Sequence, residues 1–216
     1  MYPPLDAVLG LFETPDESFK ARFEKDNEAR PAIFARCAEA ILQACGESHE
    51  GVAETPKRYA KAMREMLSGY FDNPNNHVKV FPNVHSSSMI TVMGLDFNSF
   101  CEHHMLPFFG KAYVGYIPNE QGQMVLGVSK LVRILHCFTN RFQVQERIGE
   151  QFCEFLEYNL QTHGVICVLK AQHMCMTRRG VKSTGTMITS AIRGAFTEPV
   201  VREEFMNLVN LSQKEG

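Results

Sequence analysis

The chain has 216 residues, of which 44% are hydrophobic, and a formal net charge of -2 at pH 7. These values fit one globular domain with an N-terminal extension, and the near-neutral charge gives no basis for nonspecific binding to nucleic acid. Because the longest apolar stretches are too short to cross a bilayer and the first residues lack the basic start of a signal peptide, we expect a cytoplasmic protein without membrane contact.

The N-terminal part is expected to form an arm followed by two helices. The segment before Pro31 is charged and weakly periodic, which is typical of a loosely attached arm. Apolar residues recur at helical spacing over residues 31–45, and Gly46 ends that pattern. Thr55 and Pro56 predict the start of a second helix, with threonine as the N-cap and proline at the first helical position.

The rest of the chain is expected to alternate short strands with helices. Strands are predicted where β-branched and aromatic residues form short runs, at residues 78–81, 89–95, 111–118, 124–126, 165–172 and 186–195. Helices are predicted from apolar spacing at residues 129–138, 144–164 and 203–211. Residues 119–123 predict a hairpin connection into the strand at 124–126, and Ser129 is expected to cap the helix that follows it. The pattern indicates an α+β fold of antiparallel strands around paired helices.

The chain has seven cysteines, an odd number without the spacing of a small secreted domain. This argues against a disulfide framework and for reduced thiols that pack or bind metal. Five of the cysteines lie in apolar helical or strand patterns, so we expect them to be buried: Cys37, Cys45, Cys137, Cys153 and Cys167.

The other two thiols and three imidazoles are concentrated in residues 101–104 and 173–175. Zinc takes thiolate and imidazole ligands, and a catalytic site uses three protein ligands, which leaves the fourth tetrahedral position for water. Cys101, His104 and Cys175 would make such a set, with His103 and His173 left over as acid–base groups. The alternative is that these residues are buried small hydrophobes and hydrogen-bonded structural histidines.

Six short motifs along the chain resemble, in the same order, those of the GTP cyclohydrolase I family. They are SFCEHH at residues 99–104, GYIP at 115–118, SKLVRI at 129–134, QVQER at 143–147, HMCM at 173–176 and RGV at 179–181. The resemblance covers about residues 55–208. We therefore divide the chain into an N-terminal arm and helix, residues 1–54, and a catalytic domain, residues 55–216.

The resemblance implies a fold, an assembly and a reaction. The fold is the tunnelling fold, in which antiparallel sheets of several subunits join into a barrel with the helices outside. The assembly is a homodecamer of two stacked five-membered rings with active sites at subunit interfaces. The reaction opens the guanine imidazole ring of GTP, releases C8 as formate and forms 7,8-dihydroneopterin triphosphate, the first step of folate or pterin biosynthesis.

The resemblance also implies roles for particular residues. Cys101, His104 and Cys175 match the family's three zinc ligands. His103 matches its general acid at guanine N7, and His173 matches a partner in later proton transfers.

Further matches concern the substrate. Glu146 matches the family's acceptor for guanine N1–H and the 2-amino group, although a carboxylate near a helix start also simply favours the helix dipole. Gln145 resembles a second guanine contact. The other matches are Ser129, which would face the ribose, and the phosphate-binding cations Lys130, Arg133, Arg179 and Arg58. Without the resemblance, a lysine and an arginine on one helix face are more often a solvated surface.

Three alternatives remain open. Residues 182–187 are one residue shorter than the family's usual serine- and threonine-rich stretch and include Met187 where a hydroxyl is expected. An enzyme of the same fold that prefers another guanine nucleotide, or that stops at the ring-opened product, would fit this difference. A noncatalytic GTP-binding member is the second alternative. A zinc deaminase is the third, but it would need His-x-Glu and Pro-Cys-x-x-Cys motifs, which the sequence lacks.

Overall fold

The computed structural model describes residues 17–82, 88–119 and 124–213. The chain divides into two compact units, Met1–Asn73 and Pro74–Gly216. The first is helical, and the second combines a sheet with helices, which confirms the α+β class. Across the described ranges, every helix is too short or too polar to span a membrane. The predicted division into an arm and a catalytic domain between residues 54 and 55 stays a prediction.

The first helix is longer than the sequence pattern predicts. Helix α1 spans Glu17–Ala44 and contains Pro31 in its interior. The segment that precedes Pro31 is rich in lysine, arginine, glutamate and alanine, which favour helix even where apolar periodicity is weak. Helix α1 therefore begins inside the segment expected to be a loosely attached arm, whose attachment stays a prediction, and residues 1–16 of that arm lie outside the described residues.

Helix α2 spans Thr55–Met66 and begins one residue earlier than predicted. Glu54 takes the N-cap position without a side-chain hydrogen bond, so Thr55 is the first helical residue and not the cap. Pro56 still lies in the first turn, where the missing N–H has no helical partner to lose. Ala60 and Met63 form the buried face of this helix.

Two cysteines of the first unit are exposed, so their expected burial is wrong. On α1 the buried position is Ala38, and its neighbour Cys37 points about 100° away around the helix. Cys45 follows the last residue of the helix. In the second unit Cys137, Cys153 and Cys167 are buried, as expected.

A five-stranded sheet in the order β5-β2-β3-β6-β7 organises the second unit. Its strands are β2 (Ile90–Cys101), β3 (Pro107–Ile117), β5 (Phe142–Gln143), β6 (Gly164–His173) and β7 (Met187–Gly194). The helices are α3 (Val128–Thr139), α4 (Gln145–Leu160), the short α5 (Met174–Thr177) and α6 (Pro199–Ser212). All pairs in the sheet are antiparallel except β2 with β5, which is parallel over two residues.

The predicted hairpin into residues 124–126 is wrong. Strand β4 (Met124–Leu126) pairs with β1 (Val80–Pro82) in a separate two-stranded sheet. Both edges of β3 are occupied, by β2 and by β6, so β4 has no place beside the strand that precedes it. Residues 120–123 of the connection lie outside the described residues.

Helices cover both faces of the sheet. The Cys167 side chain of β6 meets Cys153 of α4, whereas the next residue along the strand, Val168, clusters with Phe205 of α6. Successive strand residues point to opposite faces, so α4 and α6 pack on opposite sides. Gly149 lets α4 approach β7 closely, because a Cβ there would lie 3.1 Å from that of Ala191.

The register of the sheet places the candidate site at one end of it. Phe100 of β2 pairs with Pro107 of β3, and Phe108 of β3 pairs with His173 of β6. The last residue of β2, Cys101, therefore lies at the same end of the sheet as the last residue of β6.

Candidate active site

Three potential metal ligands meet at this end of the sheet. Cys101 is buried at the end of β2, His104 lies in the turn that follows, and Cys175 lies in α5. One ligand atom from each lies within 4.8 Å of the other two, and Cys101 Sγ is 3.5 Å from His104 Nδ1. Tetrahedral zinc with ordinary Zn–S and Zn–N bond lengths separates a sulfur and a nitrogen ligand by about 3.5 Å. The donor set and its spacing therefore fit the metal.

A tight turn brings His104 back onto Cys101. The N–H groups of His104 and Met105 both donate to the Cys101 carbonyl, at 3.3 and 2.8 Å, and Cys101 N–H donates to Leu106 O at 2.9 Å. Met105 takes a left-handed conformation with φ 54°, which is uncommon for a residue with a side chain. The backbone of this turn thus sets the distance between the two ligands.

The third potential ligand, Cys175, lies in a helical turn and not in a strand. Strand β6 ends at His173 and α5 begins at Met174. In a continuous strand His173 and Cys175 would share one face, but the change of period after His173 turns the two side chains apart. Burial, and then the nearby Cys101 thiol, raises the pKa of Cys175, whereas the Arg179 guanidinium lowers it. A cation between the two sulfurs would favour both thiolates.

Glu102, between Cys101 and His103, forms an ion pair with Arg147. Arg147 Nη1 and Nη2 donate to the two carboxylate oxygens of Glu102, at 2.7 and 3.1 Å. This bidentate hydrogen bond holds the pKa of Glu102 below its usual value. Glu102 Oε1 also lies 3.8 Å from His103 Nε2. The ionised carboxylate therefore links α4 to the segment that carries His103.

His103 is exposed beside the metal-ligand group. Its side chain is 60% exposed, and its Nδ1 atom lies 3.9 Å from Cys101 Sγ. This places the imidazole within reach of a molecule bound next to the metal ligands.

His173 is held on two sides. Its ring stacks on Phe108 with 4.4 Å between the ring centroids and 3° between the planes. Its Nε2 atom is 2.9 Å from Gln145 Oε1. Burial lowers the pKa of His173, and the carboxylate of Glu146 acts in the opposite direction. The structure thus brings His173, Gln145 and Glu146 together at the start of α4.

Gln145 does not offer its side chain to an open surface. It is 1% exposed, and its Nε2 atom donates to Leu169 O at 2.9 Å, Thr189 Oγ1 at 3.1 Å and Met187 O at 3.2 Å. Both amide hydrogens are engaged within the chain, so this geometry disfavours the guanine contact expected of this side chain.

Comparison with known proteins decides the family. A family model described as GTP cyclohydrolase I matches residues 34–210. A GTP cyclohydrolase 1 of Porphyromonas gingivalis is 45% identical over 174 residues, covering 78% of this chain and 88% of that protein. The protein of the same name from Clostridioides difficile is 42% identical over 176 residues, covering 79% and 92%. The chain belongs to the GTP cyclohydrolase I family. It is accordingly an enzyme of the GTP cyclohydrolase type.

The match to the GTP cyclohydrolase I family begins within α1, so it covers more of the chain than the motifs alone. A Bacillus pumilus GTP cyclohydrolase 1 is 39% identical over 187 residues, covering 85% of this chain and 98% of that protein. A crystal structure of the archaeosine synthase QueF-Like in the apo form covers 51% of this chain and 98% of its own, with a TM-score of 0.38 and 15% identity.

The predicted substrate residues of this GTP cyclohydrolase I family member lie on four elements. Glu146 is exposed in the first turn of α4. Ser129, Lys130 and Arg133 lie on α3, Arg179 is exposed after α5, and Arg58 is exposed on α2 in the first unit. Gly127 and not Ser129 is the N-cap of α3. The backbone of Gly127 is extended and the helix begins at the next residue, Val128, so Ser129 is the second helical residue.

Sequence reasoning missed three residues of the site. Arg147 pairs with Glu102, and Phe108 stacks on His173. Glu102 and Arg147 both lie inside motifs that resemble those of the family, SFCEHH and QVQER. That is the signal in the sequence that could have drawn attention to them. For Phe108 the sequence offers no such signal, since its contact depends on the register between β3 and β6.

Proposed function

We propose that the chain is a zinc-dependent GTP cyclohydrolase I that hydrolyses GTP at guanine C8, releases C8 as formate and forms 7,8-dihydroneopterin triphosphate. The observation that carries this proposal is the group of Cys101, His104 and Cys175 in a member of this family. Two thiols and an imidazole fit zinc, whereas magnesium and calcium prefer oxygen ligands. When bound, zinc lowers the pKa of a ligating water toward neutrality, which supplies the nucleophile for hydrolysis.

His103 is the proposed general acid. Attack at C8 places negative charge on the imidazole nitrogens of guanine, so a proton must reach N7 as the ring opens. The exposed imidazole of His103 lies beside the ligand Cys101, and its Nε2 atom lies 3.8 Å from the Glu102 carboxylate. His173 is the proposed partner in the later proton transfers, since it is the second imidazole near the ligands.

The proposed location is the cytoplasm. The metal site needs two cysteines in the thiolate form, and a reducing compartment keeps paired thiols from oxidation.

Glu146 is the proposed acceptor for guanine. An exposed carboxylate close to His173 can accept hydrogen bonds from N1–H and the 2-amino group at once. The triphosphate is assigned to cations on different elements: Lys130, Arg133, Arg179 and Arg58. Among them, Arg179 acts electrostatically on Cys175, so it lies near the proposed metal ligands. Ser129 is assigned to the ribose.

Glu146→Ala is expected to reduce kcat/KM for GTP much more than for inosine triphosphate, which lacks the 2-amino group. The reason is that the second substrate never makes the full bidentate contact. Steady-state kinetics with both nucleotides measure the difference. Glu154→Ala, further along the same helix, is the control and should leave the ratio unchanged. Equal losses for both nucleotides would mean that Glu146 acts only on its helix.

The proposed assembly is a homodecamer. The order of the sheet leaves β5 and β7 at its edges, and closed rings of subunits would pair such edges without forming filaments. Active sites at the subunit interfaces would then draw residues such as Glu146 and Arg58 from different chains.

Co-assembly of inactive His103→Ala and Arg58→Ala proteins is expected to restore part of the activity. Mixed rings would contain some sites in which both residues are intact, provided that the two come from different subunits. Formate release after mixing measures the recovery, and light scattering measures the size of the assembly. A fully active monomer at working concentration would refute both the shared barrel and the shared site.

One experiment tests the function directly. Purified protein of known zinc content is incubated with GTP, while formate and the pterin chromophore are followed. Both products are expected. GTP that binds and stays unchanged would indicate a noncatalytic member, and formate without the pterin would indicate a reaction that stops before rearrangement.

A second candidate function is an enzyme that prefers another guanine nucleotide, and the observation that favours it is the short loop after Arg179. Lys182 has a left-handed φ of 50°, and Ser183 N–H donates to Met176 O at 3.2 Å, which folds the loop back onto α5. Comparing GTP with other guanine nucleotides in the same assay distinguishes this alternative.

A further inference from the structure

The orientation of the Gln145 side-chain amide is determined by its surroundings. Its nitrogen faces two backbone carbonyl oxygens, those of Leu169 and Met187, which can only accept hydrogen bonds. Exchanging the amide oxygen and nitrogen would set an oxygen against both carbonyls. The amide oxygen therefore faces His173, at 2.9 Å from its Nε2 atom.

This orientation decides which ring nitrogen of His173 carries a hydrogen. Gln145 Oε1 can only accept, so His173 Nε2 must be the donor, and in the neutral ring Nδ1 is then the unprotonated nitrogen. We propose that Gln145 is a positioning residue that holds the neutral His173 ring in one rotation and in the Nε2–H form, so that Nδ1 is the acceptor nitrogen of the ring. The proposal rests on the proposed role of His173 in proton transfer.

Stacking completes the restraint. Phe108 lies parallel to the His173 ring, so the ring stays in one plane while the hydrogen bond fixes its rotation within that plane. Together these two contacts give the His173 ring one orientation.

The place of Gln145 in the fold allows its side chain to hold His173. It is the first residue of α4 and reaches over the pairing of β6 with β7, where Leu169 lies opposite Thr189. The same hydrogen bonds would also serve a purely structural link between the helix and the sheet. A test must therefore report on His173 itself.

The first test uses the unmodified zinc-loaded protein. Nitrogen-15 spectra of protein with labelled histidine should show the neutral His173 ring with hydrogen on Nε2, and the signal is assigned by its loss in His173→Asn. A ring with hydrogen on Nδ1 would overturn the proposal. This measurement does not depend on turnover, so it stays informative if the protein releases no formate from GTP.

The second test uses Gln145→Met, which keeps a similar volume and removes the hydrogen bond. We expect a mixture of ring forms at His173, unchanged zinc content, a KM for GTP near that of the unmodified protein, and a kcat lower by about 10- to 100-fold. The control is Gln172→Met, an exposed residue beside His173 that should change none of these. A raised KM with unchanged kcat would mean that Gln145 contacts guanine, and an unchanged His173 spectrum would mean that it only links helix and sheet. Either result overturns the proposal.

Discussion

Replacing any one of Cys101, His104 or Cys175 by alanine is expected to remove the metal and reduce turnover of GTP to background. Two remaining ligands make an inadequate zinc site, because catalytic zinc in proteins is held by three. The three ligand atoms lie within 4.8 Å of one another, so each is close enough to coordinate the same ion. Metal analysis of the purified variants and formate release from GTP measure the two effects.

Cys45→Ala is the matched control, since it removes an exposed thiol in the first unit. It should keep both zinc and activity. Circular dichroism of the ligand variants separates metal loss from unfolding. Stoichiometric zinc with near-normal activity in any of the three ligand variants would refute the ligand assignment.

His103→Ala is expected to keep the metal and to lower kcat by about a hundred- to ten-thousand-fold, the usual contribution of a positioned acid. The KM for GTP should change little, because the guanine and phosphate contacts are assigned to other residues. Metal content and steady-state kinetics are measured on the same preparation. His49→Ala, which removes another strongly exposed imidazole, is the control and should be fully active.

The geometry makes the opposite assignment a real competitor. Cys101 Sγ lies 3.9 Å from His103 Nδ1 and 3.5 Å from His104 Nδ1, so the two imidazoles differ by only a small distance. If His103→Ala lost zinc and His104→Ala retained it, His103 would be the ligand and His104 the acid.

The parts of the site that sequence could predict are local ones. Cys101 and His104 are three residues apart, and a single turn of the backbone brings them together. Glu146 lies in the first turn of a helix whose apolar spacing is plain in the sequence. Cys175 is distant along the chain. Its inclusion in the ligand set depends on the affinity of thiolates for zinc and on the resemblance to the family.

The parts that sequence could not predict depend on how strands align. Arg147 and Glu102 are 45 residues apart, and Gln145 and His173 are 28 apart. Each pair meets only because β2 and β6 end, and α4 begins, at the same end of the sheet. The burial of Gln145 and the pairing of β4 with β1 also depend on contacts between distant segments, and neither leaves a periodic trace in the sequence.

The order of the strands has a consequence for the metal ligands. Cys101 ends β2 and Cys175 follows β6, and β3 runs between them. Backbones two strands apart are separated by about 10 Å, whereas the ligand atoms approach within 4.8 Å. Part of this gap closes because Cys175 lies in α5, after β6 has ended, and β3 begins only at Pro107, opposite Phe100. Strand β3, which has no metal ligand, thus leaves the end of the sheet open, and the chain after β6 can bring Cys175 to Cys101 there.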